Sequence, residues 1–119
     1  QNYKSKTHLL PRPSETVNST LAIATLNVQC MKTKLNVLSL FIEDLDPNVL
    51  CVTEHWLREC ECELYNRLCN LTLASVYCRQ ACKHGGSAVY VHSSVNYKEI
   101  NVLQFCEELT LESAAVELF

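Results

Sequence analysis

Apolar positions in this chain fall into short consecutive runs and one helical stripe, and their order at the front spells strand, helix, strand. Leu21-Ala22-Ile23-Ala24-Thr25-Leu26 is an apolar run that predicts a buried strand stopping at Asn27. Between residues 34 and 45, Leu35, Leu38, Phe41, Ile42 and Leu45 gather in a stripe roughly 120° wide, with Asn36, Ser39 and Glu43 facing away, as in an amphipathic helix. Asp46-Pro47 ends it. The run Asn48-Val49-Leu50-Cys51-Val52-Thr53 is apolar on consecutive positions, which predicts a strand covered on both faces and leading straight into Glu54. A crossover of this length favours a parallel pair, so Asn27 and Glu54 are expected on one edge of a sheet, where α/β folds place ligands.

Beyond the polar and irregular stretch 55–70, two further strands are expected at 72–78 and 87–92. The loop 79–86 between them ends in Gly85-Gly86, residues that tolerate the backbone angles of a tight connection, so an antiparallel hairpin is the simplest arrangement. A last strand is expected over 111–118, with Ala114, Val116 and Leu118 on one face. Residues 1–19 mix Lys, Ser, Thr, Asn and two prolines without hydrophobic period and read as a flexible lead-in. Residues 20–119 then form one domain, for which this length suffices.

Composition narrows the class. A hydrophobic share of 48%, a charged share of 19% and only 2 Gly and 3 Pro describe a globular chain. The formal net charge of -3 gives no basic bias of the kind that marks a free-standing nucleic-acid binder. No apolar run approaches the roughly 20 residues of a membrane span, and residues 1–14 lack a signal-peptide core, which points to an intracellular, nuclear or cytoplasmic protein and not a secreted one. The 8 cysteines would suit a disulfide framework in an exported protein. Cys51 and Cys78, however, lie in apolar runs, where a free thiol serves as a small buried hydrophobe.

The segments Leu26-Asn27-Val28-Gln29 and Asp46-Pro47-Asn48-Val49-Leu50-Cys51-Val52-Thr53-Glu54-His55-Trp56-Leu57, followed by Tyr77-Cys78-Arg79, Gly85-Gly86-Ser87-Ala88-Val89-Tyr90-Val91 and Ala115-Val116-Glu117-Leu118, resemble the endonuclease/exonuclease/phosphatase superfamily. The look is that of the N-terminal endonuclease domain of non-LTR, LINE-like retrotransposon reverse transcriptase polyproteins. The resemblance covers residues 21–118. It implies an α/β fold of the α+β sandwich type: the N-terminal half of a two-sheet, four-layer architecture with a βαβ start and antiparallel strands after it. It also implies Mg²⁺- or Mn²⁺-dependent hydrolysis of DNA phosphodiesters, the target-site nicking step of a retrotransposon, with no small-molecule cofactor. Glu54 would then bind the catalytic cation, and Asn27 would help shape the phosphate and metal site. A lone Glu at a strand edge suits Mg²⁺, whose octahedron is completed by waters and phosphate oxygens. By position alone Glu54 equally suits a solvated carboxylate, and Asn27 a turn former.

Arg79, Lys83 and His84 lie in the loop beside that edge and are candidates to touch the DNA phosphate backbone; the same residues also suit a solvated hairpin loop. His55, which follows Glu54, is expected to face the opposite side of the strand, and His55, His84 and His92 are each weak candidates for a proton acceptor. The family's later motifs, a Tyr-x-x-Pro-like strand end, an Asp-x-Asn and a terminal Ser-Asp-His, are expected beyond Phe119. One ligand does not suffice for phosphodiester hydrolysis, so the chain by itself is expected to be inactive, with the missing C-terminal half as its natural partner, and to be marginally stable or self-associating.

Three other readings remain open from the residues. Cys60, Cys62, Cys78, Cys82 and His84 could form a zinc module, though Cys-x-Cys departs from the usual ligand spacing. A disulfide-linked interaction domain would explain the sequons at Asn18 and Asn70. A phosphatase acting on lipid or nucleotide phosphates would keep the fold and change the substrate.

Overall fold

The computed structural model describes residues 20–119; the lead-in expected over residues 1–19 lies outside them. The chain opens as its pattern demands. Strand β1 (Ile23–Asn27) is followed by helix α1 (Leu35–Leu45) and strand β2 (Val49–Thr53), and β1 and β2 pair in parallel. Leu38 and Ile42 are the buried residues of α1, with Leu35 and Phe41 packed at their flanks. Leu45, placed on the apolar stripe by its spacing, is exposed, because the helix ends there: Asp46 turns into the left-handed region at φ 48° and its N–H closes on the Ile42 carbonyl at 2.8 Å. Pro47 cannot continue the helix, and β2 begins two residues later.

The rest of the main sheet is antiparallel. A two-residue strand β3 (Arg67–Leu68) pairs with β4 (Leu71–Tyr77), β4 pairs with β5 (Ser87–His92), and β5 pairs with β2. The order across the sheet is β1-β2-β5-β4-β3. Strands β6 (Tyr97–Ile100) and β7 (Ala115–Leu118) form a separate antiparallel pair. The fold is therefore mixed α+β, a five-stranded sheet with one helix and a two-stranded sheet.

Alternation along the strands assigns each face its cover. Leu50 and Val52 of β2, Ala88 and Tyr90 of β5 and Leu71 of β4 pack with Leu38 and Ile42 of α1. Val49 of β2 with Val89 and Val91 of β5 point the other way and pack with Val116 and Leu118 of β7. That is why β2 and β5 read as continuous apolar runs. Strand β1 is at the sheet edge and less covered, with Ile23 60% exposed.

Three parts of the chain differ from what its pattern predicts. The stretch 55–70 is ordered, holding a 3-10 helix (Glu59–Tyr65) and β3; short 3-10 turns have no apolar period to betray them. Strand β6 carries Tyr97-Lys98-Glu99-Ile100, all exposed, so it lacks the buried alternation by which strands are recognised. The last strand starts at Ala115 and not at residue 111, since Leu111 makes only an isolated bridge with Glu107.

Strand β4 contains a bulge. Leu73 pairs with Tyr90 and Ser75 with Val89, so two residues of β4 oppose one of β5. The extra residue flips the alternation, and Ser75, 5% exposed, accepts a hydrogen bond through its Oγ from the Ala115 N–H of β7 at 3.1 Å. One hydroxyl thus joins the two sheets. Ser75→Ala strands that N–H without a partner and is expected to lower stability by about 1–3 kcal/mol, measured as a shift in the urea midpoint; an unchanged midpoint would show that the sheets do not depend on this bond.

Candidate metal centre

Parallel pairing fixes the geometry of the rim. The register sets Asn27 opposite Thr53, so β1 and β2 end level and Glu54 is the next residue out. The chain does not swing away there. The Val28 N–H donates to the Thr53 carbonyl at 3.0 Å, the Cys30 N–H to the Glu54 carbonyl at 3.0 Å and the Met31 N–H to the His55 carbonyl at 3.1 Å. From the other side, the N–H groups of Glu54 and Trp56 donate to the carbonyls of Gly86 and Gly85 at 2.8 and 2.9 Å. These bonds hold Glu54 and Trp56 at φ 58° and 60°, a left-handed backbone that costs a non-glycine residue roughly 1–2 kcal/mol and persists only where its surroundings impose it.

The Glu54 side chain is half-buried. Its Oε2 accepts the Trp56 indole N–H at 2.8 Å and the Gly85 N–H at 3.3 Å. Both donors reach the same oxygen, which leaves Oε1 without a protein donor among the described residues. Trp56 is itself held by His84, whose ring stacks on the indole with centroids 3.9 Å apart and planes at 22°. Thr53, Glu54, Arg79, Ser87 and Glu112 line a shallow cavity of about 260 Å³ at this rim. Asn27 is exposed at the end of β1, one strand away.

The remaining sequence candidates separate sharply. His55 is fully buried; its Nδ1 accepts the Leu57 N–H at 2.8 Å and its Nε2 donates to the Tyr77 carbonyl at 2.8 Å. An Nδ1 that accepts an N–H carries no proton, so the ring is neutral with both nitrogens engaged, and burial lowers its pKa in the same sense. His92 is at the far end of β5, hydrogen-bonded to Ser94 at 2.7 Å, with Val91 beside the first residue of β2. Arg79 is tied to Glu112 by a 2.6 Å ion pair and donates to the Lys83 carbonyl at 2.8 Å. Lys83 and His84 are exposed, which makes Lys83 the freer cation of this loop.

Glu112 and Trp56 belong to this rim, and no role was assigned to either from sequence, although Trp56 stands in the segment that carries the resemblance. Glu112 accepts from the Gly86 N–H at 3.1 Å, the Leu109 N–H at 2.9 Å and the Arg79 guanidinium, so it holds the second glycine of the pair as Glu54 holds the first. No local pattern marks it. Trp56 adjoins Glu54 in sequence, and an indole with a single donor two residues from a carboxylate is the signal that could have found it.

The chain has no family-model match, and no curated protein matches it. The eight cysteines are unbridged; Cys62 and Cys78 approach to 3.3 Å between sulfurs, and Cys60 is exposed. Among the described residues no three His, Cys, Asp or Glu side chains are gathered to hold a metal ion. A single carboxylate with one free oxygen suits a hard cation that keeps most of its waters, as Mg²⁺ does, and does not suit the tetrahedral nitrogen and sulfur set of zinc.

Two outcomes test this geometry. A Cβ on Gly86 would come within 2.2 Å of the His55 ring at a φ of 96°, so Gly86→Ala is expected to destabilise the fold by about 2 kcal/mol or more, read by urea unfolding; a neutral effect would mean that the rim is loosely built. Glu108 accepts backbone hydrogen bonds from Gln80, Ala81 and Cys82, and these hold its carboxyl down at about 2. A depressed folded pKa contributes stability above the ordinary carboxylate range near 4.5, lost as pH falls from there toward 2. The amide signals of residues 80–82 should therefore titrate with a midpoint near 2, and a midpoint above 4 would show that the clamp does not form.

Proposed function

We propose that this chain forms the Glu54-bearing portion of a divalent-cation-dependent DNA endonuclease domain of the endonuclease/exonuclease/phosphatase kind. The observation that carries the reading is the Glu54 carboxylate itself. It stands where two parallel strands end, one oxygen anchored by Trp56 and Gly85 and the other free. Strain at φ 58° and three backbone hydrogen bonds to its own and the next residue are a large outlay for a solvated surface carboxylate. They are reasonable for a group that must meet a cation in one place.

Glu54 would hold Mg²⁺ or Mn²⁺ as its single protein ligand, and Asn27 at the level end of β1 would face the phosphate. When bound, the cation withdraws charge from phosphodiester oxygens. The chain's own part is to orient the carboxylate so that Oε1 is left open, with Lys83 an exposed cation of the neighbouring loop that would contact phosphate and Arg79 paired with Glu112. The specific two-sheet, four-layer fold belongs to the same proposal, supported by the helix on one face of the sheet and the β6–β7 pair on the other. Activation of water and protonation of the leaving oxygen need further groups, which these residues do not place at the rim.

Manganese tests the metal site without requiring turnover. Substoichiometric Mn²⁺ is expected to broaden the amide signals of Glu54, Gly85 and Gly86 first, and Glu54→Gln should abolish that selectivity. Broadening spread evenly over the carboxylates, or unaffected by the substitution, would remove the metal reading. With Mg²⁺ and supercoiled plasmid, the 119-residue chain is expected to leave the DNA intact; nicking that Glu54→Ala abolishes would show that no additional groups are needed.

A further inference from the structure

The hairpin loop between β4 and β5 has a second polarised feature, distinct from the Glu54 rim. Three successive backbone N–H groups, of Gln80, Ala81 and Cys82, converge on one carboxylate, that of Glu108; the Ala81 N–H lies 3.0 Å from Oε1 and the Cys82 N–H 3.1 Å from Oε2. The carbonyls of the same stretch turn the other way. The Arg58 Nη1 sits 3.0, 3.3 and 3.1 Å from the carbonyl oxygens of Arg79, Gln80 and Cys82. A guanidinium on the carbonyl side fixes the peptide planes, so the N–H side is a preformed concavity of positive potential, the arrangement by which backbone binds oxyanions.

The carboxylate filling that concavity comes from a weakly anchored segment. Leu103, Phe105 and Leu109, which flank Glu108, are 67%, 62% and 68% exposed, so apart from Glu108's own hydrogen bonds little buried apolar surface holds the segment down. Its firm attachment is four residues later, at Glu112. If Glu108 leaves, three N–H donors are left without an acceptor, while the Arg58 guanidinium stays on the carbonyl side of the same peptides.

We propose that the backbone of residues 80–82 is a seat for a phosphate group, held closed by Glu108 as a tethered carboxylate in the phosphate's place. The loop that carries the seat also donates from Gly85 to Glu54. Under the endonuclease reading, on which only this assignment of source rests, the occupant is a phosphodiester of the DNA backbone flanking the cation. The seat also stands without that reading, because its donors are peptide groups and need no metal.

The test uses ¹⁵N-labelled chain, EDTA and inorganic phosphate titrated against chloride at constant ionic strength. In Glu108→Ala, the amide signals of residues 80–82 are expected to move downfield saturably. The wild type should need at least about ten times more phosphate, since a tethered competitor acts at high effective concentration. Glu108→Gln, which keeps a neutral acceptor in place, serves if the alanine variant unfolds and should respond at intermediate phosphate. A short DNA duplex is the second arm. Saturation by duplex below the phosphate requirement assigns the seat to nucleic acid, and saturation by phosphate alone assigns it to a free phosphate; both support the seat. Folded variants whose loop amides respond to phosphate no more than to chloride would overturn it. Because no metal is present, that failure is separate from loss of Mn²⁺ selectivity at Glu54.

Discussion

Glu54 is fixed by its main chain before its side chain does anything. As β2 ends, the next three residues continue hydrogen bonding on two sides, to Cys30 and Met31 on one and to Gly85 and Gly86 on the other, while the backbone turns left-handed at Glu54 and Trp56. The β1–α1 loop is itself kept in place by Lys34, whose ammonium reaches the carbonyls of Val28 and Gln29 at 2.6 and 2.7 Å. Gly86 is kept in place by the buried His55 ring against it and by its hydrogen bond to Glu112. The rim is thus an assembly of three loops in which each restrains the others, and the carboxylate's direction follows from the assembly.

The core beneath has a similar division of labour. Strands β2 and β5 supply apolar residues to both faces, so they can be covered by a helix on one side and a strand pair on the other. Strand β4 has to change its presentation along its length, and the bulge at Ala74 and Ser75 accomplishes that. Tyr90, fully buried between the sheet and the 3-10 helix, spends its hydroxyl on the Tyr65 carbonyl at 2.6 Å. Burial raises its pKa far above that of a free phenol, so it is a donor at any physiological pH. Among the described residues, every buried side-chain nitrogen and oxygen has a hydrogen-bond partner.

How much of this was legible in the chain depends on the range of the interaction concerned. The β1-α1-β2 unit and the β4–β5 hairpin were written in local periodicity: Leu38 and Ile42 on one helical face, Val49 to Val52 in an unbroken run, Gly85 and Gly86 between two apolar stretches. Strand β6 was hidden because Tyr97 to Ile100 are exposed and pair only with a distant strand. At the rim, Glu54 was legible because it terminates a strand. Glu112 and Glu108 were not, since their roles depend on main-chain donors 26 to 28 residues away, a relation no spacing rule encodes. Arg79 shows the converse: a loop cation read from sequence as a phosphate contact also has an ion-pair partner in Glu112, which only three-dimensional proximity reveals.

Trp56 is the chain's sole tryptophan, and its indole touches both the Glu54 carboxylate and the His84 ring. Light absorbed and re-emitted by this one side chain therefore originates beside the carboxylate and nowhere else in the molecule. Any rearrangement of that carboxylate must pull on the indole N–H, and any approach to the loop must disturb the imidazole lying on its face. The fold has placed a native optical reporter at a position from which both could be watched.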